Sequence, residues 1–136
     1  MTLTMQAVRI HAYGGPEVLH HEEVPMPSLA PADLLIRVRA AAVNPVDWKI
    51  REGYLQGVLN HKLPLILGWD VSGEVVEVGS EVAGFKVGDA VYARPDIERD
   101  GAYAEYIAVK ASDAARKPAT LDHVRAAAAP LTALTA

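Results

Sequence analysis

Two short segments of the chain concentrate side chains that are able to do chemistry. Residues 44–49 have the sequence Asn-Pro-Val-Asp-Trp-Lys and bring an amide, a carboxylate, an indole and an amine together. Residues 68–74 have the sequence Gly-Trp-Asp-Val-Ser-Gly-Glu, in which Trp69 directly precedes Asp70. An indole beside a carboxylate, at the point where an apolar stretch ends, indicates the wall of a cleft. We therefore take these two segments as the candidate functional centre.

A short helix is predicted to position the first segment. Pro45 suits the first position of a helix, and Asn44 before it suits the N-cap. Gly53 is typical of the residue that ends a helix. These features predict a helix over residues 45–52, with Lys49 on the same face as Pro45 because four residues separate them.

Most of the remaining chain is predicted to form short strands. Alternating apolar residues and turn residues predict strands over 5–11, 18–24, 33–43, 71–78, 90–93 and 102–109, the first two as a hairpin. Gly73 interrupts one of these strands and predicts a bulge or a close backbone approach. The pattern indicates a mainly β protein, built as a small, partly open β-barrel with a few short helices.

The segments between the strands carry their own expectations. Residues 63–67 are apolar and are predicted to be buried, whereas residues 54–61 are expected to form a loop over the cleft. Residues 94–101 contain several charges and are predicted to be a solvated loop. Beyond Asp122 the apolar spacing becomes helical, and Pro130 is expected to break or restart that helix.

Size and composition exclude several classes of protein. The chain has 136 residues, which fits one domain, and a net charge of −4 argues against a nucleic-acid surface. It contains no cysteine, so disulfides and thiolate zinc sites are excluded. No signal-peptide pattern and no stretch of about 20 apolar residues is present. We therefore expect a cytoplasmic protein that binds a small molecule and no membrane.

The glycine and valine pattern of the second half carries a family resemblance. It comprises Gly73-Glu74-Val75-Val76, Val78-Gly79, Val82, Phe85 and Val87-Gly88-Asp89-Ala90-Val91-Tyr92. This order and spacing resembles the N-terminal, GroES-like domain of the medium-chain dehydrogenase/reductases. The Asn-Pro-Val-Asp-Trp-Lys segment resembles the zinc-free branch of quinone oxidoreductases and enone reductases. The resemblance extends over residues 5–136 and implies a GroES-like barrel.

The resemblance also implies a division of the chain and an activity. Residues 1–120 would form the catalytic, substrate-binding domain, and residues 121–136 would begin a helix leading into an absent Rossmann domain. No Gly-x-Gly occurs, so the dinucleotide fingerprint is missing from this chain. The implied reaction is NADPH-dependent hydride transfer to quinones or α,β-unsaturated carbonyls. We expect the 136-residue chain alone to be inactive.

Specific residues receive roles through the same resemblance, each beside a simpler alternative. Lys49 would touch the nicotinamide amide or the substrate carbonyl, or be a solvated helix lysine. Tyr54 would donate a proton or line the pocket, or be an exposed loop tyrosine. Asn44 would line the cofactor cleft and also cap the helix, and Asp47 would bind near the cofactor or bond to the backbone. Thr135 would lie beside the nicotinamide.

The second segment is expected to contribute to the substrate pocket without a metal. In zinc-dependent relatives, a cysteine and a histidine occupy the places of Asn44 and Trp69, and neither of these residues is a good zinc ligand. Asp70 stands in the acidic place. Trp69 would stack against the substrate or fill the space that the metal site leaves. We predict no functional metal.

A non-enzymatic role is the alternative hypothesis. A GroES-like barrel can act as a binding or assembly module, which needs a mobile apolar loop to dock a partner. Residues 54–61 match such a loop poorly, and residues 44–49 would have no purpose in such a module. A homo-oligomer is compatible with either hypothesis.

Overall fold

Two antiparallel sheets and three short helices make up the protein. The computed structural model describes residues 3–135. The strands are β1 (Thr4–Ile10), β2 (Leu19–Pro25), β3 (Asp33–Ala41), β4 (Leu65–Ile66), β5 (Val71–Val78), β6 (Ala90–Ala93), β7 (Tyr106–Lys110) and β8 (Ala114–Arg116). The helices are α1 (Pro45–Glu52), α2 (His123–Ala127) and α3 (Pro130–Thr135). Among the described residues, no helix has the length and apolar character that a membrane span requires.

The sheets curl toward each other to form a half-barrel. One sheet has the strand order β7-β3-β5-β6-β8, the other has the order β2-β1-β4, and every neighbouring pair is antiparallel. An isolated bridge pairs Ala7 of β1 with Ala104, which lies just before β7. This architecture confirms the predicted mainly β, GroES-like, partly open barrel.

Several helices and strands lie where the sequence analysis predicted them. The predicted first hairpin is present as β1 and β2, paired from Thr4 with Pro25 to Ile10 with Leu19. The helix over residues 45–52 and the strands over 71–78 and 90–93 have their predicted bounds. Helix α2 stops before Pro130, and α3 starts there, as expected from the proline.

The structure differs from the sequence analysis at two strands in the second half of the chain. The strand predicted over 102–109 begins only at Tyr106, because residues 102–105 cross between the sheets and bond to other segments. The amide of Ala102 donates to Gly68 at 2.6 Å, and that of Glu105 donates to Gln6 at 3.1 Å. The short strand β8 was not predicted.

Residues 94–101 form a loop in which Glu98 and Asp100 are exposed, as predicted, but the loop is more packed and paired than expected. Arg99 forms an ion pair of 3.1 Å with buried Asp33, and Lys110 pairs with Asp96 at 2.8 Å. Asp100 accepts the amide of Ile66 at 3.0 Å. Each of these contacts joins the loop to a distant strand.

The apolar side chains divide into two main clusters. One is formed mainly by side chains of the five-stranded sheet and includes Leu34, Ile36, Val71, Val75 and Val91. The other lies under α1 and contains Ile10, Ile50, Leu65, Leu67 and Trp69. Helix α2 buries two alanines and packs on β3 and β5. The half-barrel therefore holds both α1 and the segment that leads to α3.

The close approach predicted at Gly73 is present between β3 and β5. A Cβ atom added there would lie 2.0 Å from the carbonyl oxygen of Arg37, so the strands would have to separate. We expect Gly73→Ala to lower the free energy of unfolding by at least about 2 kcal/mol, as measured by urea denaturation. Gly57→Ala is the control, because its Cβ would meet nothing within 4 Å and should change stability by less than about 1 kcal/mol. Equal losses in the two variants would contradict this account.

Candidate functional site

The beginning of α1 is held in place by the carboxylate of Asp47. One oxygen accepts the backbone amide of Asn44 at 2.8 Å, and the other accepts that of Gly68 at 3.0 Å. Asn44 is the predicted N-cap residue and has the extended backbone of that position. Gly53 ends the helix with φ of 91°, as expected of a C-cap glycine. Asp47 thus fastens the two candidate segments together through the backbone.

Asp70 joins three parts of the chain from a fully buried position. Its Oδ2 atom accepts the side-chain amide of Asn44 at 2.9 Å, and its Oδ1 atom accepts the backbone amide of Leu131 at 2.7 Å. The exposed fraction of Asp70 is 0%. The carboxylate at the start of β5 therefore positions both the N-terminus of α1 and the first turn of α3.

Burial dominates the electrostatics of these carboxylates. Desolvation raises the pKa of Asp47, although hydrogen bonds from the amides of Asn44 and Gly68 oppose the rise. Desolvation likewise raises the pKa of Asp70, against the hydrogen bonds from Asn44 and Leu131. The hydroxyl of Tyr103 is buried close to Asp47, and burial is the largest cause that raises its pKa.

An open cleft lies above Asp70, between the start of α1 and α3. Its volume is about 660 Å³. Its lining residues include Asn44, Val46, Arg94, Ile97, Leu131 and Thr135. Among the residues that the structure describes, Arg94 is the only charged one in this lining. Asn44 and Thr135, both predicted to be near the cofactor, are thus brought to one cleft.

Lys49 lies on α1 and Tyr54 lies just beyond its end, and neither belongs to the lining of this cleft. Both side chains are exposed, with Tyr54 at 67%. Trp48 lies between them, with the Lys49 amine 5.9 Å from its ring centre and the Tyr54 ring edge-on at 5.8 Å. The structure therefore separates these two predicted catalytic residues from Asn44 and Thr135, and their catalytic roles stay predictions.

Three predicted site residues lie beneath the cleft, where none is open to a ligand. Trp69 is completely buried, its indole N–H donates to the carbonyl of Arg99 at 3.2 Å, and its ring stacks on His61. Asp47 and Asp70 are buried as well. Of the two roles expected for Trp69, this burial favours filling space over stacking on a substrate. None of residues 54–61 belongs to the cleft lining, and Leu55 and Leu59 instead pack against the cluster that contains Trp69.

Sequence analysis missed Arg94 and Tyr103. Arg94 directly follows β6, so it stands at a strand end, where site residues often occur. Its charged neighbours favoured a solvated loop instead. Tyr103 gave no local signal, because its burial depends on Gly68, whose missing side chain makes room for the tyrosine ring.

Comparison with known proteins identifies relatives of the whole chain. Residues 30–119 match the family described as alcohol dehydrogenase GroES-like domain. A chloroplastic quinone-oxidoreductase homolog from Spinacia oleracea is 42% identical over 133 residues, which cover 97% of this chain and 40% of the relative. A 2-methylene-furan-3-one reductase from Solanum lycopersicum is 41% identical over 97% of this chain and 36% of its own length.

A solved structure shares the fold. A mycobacterial protein in complex with NADPH superposes with a TM-score of 0.85 and 35% identity, over 96% of this chain and 38% of that one. The chain thus spans about 40% of the length of the curated relatives it matches. The spinach relative is named as chloroplastic, so the expected cytoplasmic location stays a prediction.

Removal of the Asp70 carboxylate should loosen α3. We expect Asp70→Ala to speed hydrogen exchange at the Leu131 amide by at least about tenfold, because two buried donors lose their acceptor. Asp122→Ala is the control, since exposed Asp122 accepts only the amide of Arg125, in α2. That variant should speed exchange at Arg125 and leave Leu131 protected. Unchanged protection of Leu131 in Asp70→Ala would refute the role of Asp70.

The stability of the protein should depend on pH through Asp70. Its pKa in the folded state is raised above 3.8, so its contribution to stability is full below pH 3.8 and is lost as the pH rises through the raised value. Asp70→Asn cannot ionise and lacks this loss. We therefore expect the free energy of unfolding of the wild type, relative to Asp70→Asn, to fall as the pH rises above about 3.8 in urea titrations. A constant difference would contradict the raised pKa.

Proposed function

The chain belongs to the alcohol dehydrogenase GroES-like domain family, and we propose that it forms the substrate-binding part of an NADPH-dependent, zinc-independent oxidoreductase. The proposed reaction is hydride transfer to quinones or to α,β-unsaturated carbonyls. The observation that carries this proposal is the cleft between α1 and α3, where Asn44, Arg94 and Thr135 come together. The names of the spinach and tomato relatives support this reaction class.

The residues present suit the nicotinamide end of such a cofactor. When bound, NADPH supplies the hydride. The side-chain oxygen of Asn44 is an acceptor at the rim of the cleft, because only its nitrogen is bonded to Asp70. Thr135 stands on the opposite side, on α3. We propose that these two residues orient the nicotinamide amide.

The remainder of the cofactor needs a second part of the protein. This chain contains no Gly-x-Gly, and its relatives are more than twice its length. We propose that a Rossmann domain outside residues 1–136 holds the pyrophosphate and that residues 121–136 lead into it. In this proposal, residues 1–120 are the catalytic domain.

Two contacts support a reaction without zinc. The side-chain nitrogen of Asn44 is committed to Asp70, and the indole of Trp69 is committed to the carbonyl of Arg99. Both residues therefore stabilise the fold at the places where zinc-dependent relatives carry metal ligands. Polarisation of the substrate carbonyl then falls to side chains of the cleft.

The proposed activity requires both parts of the enzyme. We expect the 136-residue chain alone to give no NADPH oxidation with a quinone or an enone. A chimera that joins it to the remaining portion of the spinach relative should oxidise NADPH in a quinone- or enone-dependent way, followed at 340 nm. Turnover by the isolated chain would overturn the first expectation, and a folded chimera without turnover would overturn the proposed function.

A matched pair of threonines tests the cofactor contact in the chimera. Both Thr135 and Thr132 are exposed on α3, but only Thr135 lines the cleft. We expect Thr135→Val to raise the KM for NADPH about fivefold, which corresponds to about 1 kcal/mol for one lost hydrogen bond. Thr132→Val should leave that KM unchanged. Equal effects would argue against a cofactor role for Thr135.

A further inference from the structure

Arg94 presents a cation to the cleft that is not balanced by any ion pair. The residue directly follows β6 and is half-buried, and within residues 3–135 it is the only charged residue in the cleft lining. Within residues 3–135 its guanidinium forms no ion pair with a carboxylate, and its hydrogen bond is to the carbonyl of Pro95, at 3.4 Å. Because a guanidinium carries five N–H donors, most of the donors of Arg94 are available to a ligand.

The other side-chain donors of the cleft already have acceptors within the protein. The side-chain nitrogen of Asn44 donates to Asp70 at 2.9 Å. The hydroxyl of Thr135 donates to the carbonyl of Leu131 at 2.7 Å, within α3. A carbonyl oxygen that enters this cleft would therefore find its strongest donors on Arg94.

We propose that Arg94 binds the carbonyl oxygen of the substrate and stabilises the negative charge that develops there. This inference rests on the proposed function and assigns the stabilising residue of that same site. Hydride addition to the β-carbon of an enone moves the double-bond electrons onto the carbonyl oxygen, which gives an enolate. The dihydronicotinamide is oxidised, and the α-carbon later takes a proton from water. A quinone accepts the hydride in the same way and becomes a hydroquinone anion.

A fixed positive charge suits this task because it is in place before the oxygen becomes negative. Donors that are oriented toward developing charge in a water-poor site are among the strongest contributors to catalysis. A guanidinium also matches planar oxygen groups with two parallel N–H bonds. Lys49 and Tyr54 offer no equivalent, because neither belongs to the cleft lining.

A purely structural role, in which Arg94 neutralises Asp70, is the competing explanation. Arg94 is near enough to lower the pKa of Asp70, but the effect is smaller than those of burial and of the two hydrogen bonds. Both oxygens of Asp70 are already bonded to Asn44 and Leu131. If Arg94 had only this structural role, its replacement would lower the stability of the fold but would not change how strongly the cleft prefers an anionic ligand over a neutral one. An experiment can therefore separate the two roles.

The test uses 4-nitrophenol, whose phenolate is a stable analogue of the enolate and absorbs visible light. We expect the 136-residue chain to bind the phenolate about tenfold more tightly than the neutral phenol, which lowers the apparent pKa of the bound probe by about one unit. Arg94→Gln should abolish this preference and Arg94→Lys should retain part of it. Arg125→Gln is the control, because it removes the same charge from an exposed position on α2 outside the cleft.

A direct measurement covers the case in which the Arg94 variants fail to fold. The Nε–H resonance of Arg94 in the wild-type chain should shift with the phenolate and not with neutral nitrobenzene. A phenolate preference that persists in folded Arg94→Gln, an unmoved Nε–H resonance, or no phenolate binding at tens of millimolar would overturn the proposal.

The proposed oxidoreductase function and the proposed role of Arg94 can be rejected separately. The phenolate experiment needs neither cofactor nor turnover. A folded chimera without turnover, together with an Arg94-dependent phenolate preference, would reject the oxidoreductase and retain the anion site. Turnover by the chimera, together with a phenolate preference independent of Arg94, would reject the role of Arg94 alone.

Discussion

The buried carboxylate of Asp70 is the interaction on which the geometry of the cleft depends. It bonds to Asn44, 26 residues before it, and to Leu131, 61 residues after it. Neither α1 nor α3 is long enough to be stable alone, since isolated helices of fewer than about 12 residues are marginal in water. Their relative position is therefore set by the half-barrel and by this one acceptor, which faces the cleft from below.

The site therefore contains carboxyl groups at buried positions, where water is scarce. Asp47 and Asp70 are both buried, and the charge on Asp47 adds to the raised pKa of Asp70. Four hydrogen bonds from Asn44, Gly68 and Leu131 hold the two carboxylates in position. Arg94 is a neighbouring cation and belongs to the cleft lining. The two carboxylates beneath the cleft are thus held by hydrogen bonds, whereas Arg94 in the cleft lining has N–H groups left for a ligand.

Sequence patterns predicted the elements that depend on local chemistry, including α1 with its caps, β5, β6 and the restart at Pro130. They did not predict features that depend on contacts across the chain. Helical spacing placed Lys49 relative to Pro45, but which face of α1 meets the cleft is decided by Ile50, buried against Trp69. Similarly, the charges of residues 94–101 gave no indication of their partners, because Asp33 lies far away in sequence.

In the proposed zinc-independent reaction, an amide and an indole would stand where zinc-dependent relatives carry metal ligands, and the same contacts would give these two residues a structural task. A catalytic zinc ion would both tie neighbouring segments together and supply positive charge to a substrate oxygen. Here hydrogen bonds perform the first task, since Asn44 bonds to Asp70 and Trp69 to the loop before Gly101. The second task still needs a cation, and that same loop begins with Arg94. Because the loop is fixed by its ion pair to Asp33, the guanidinium is supported by the half-barrel rather than by a flexible surface segment.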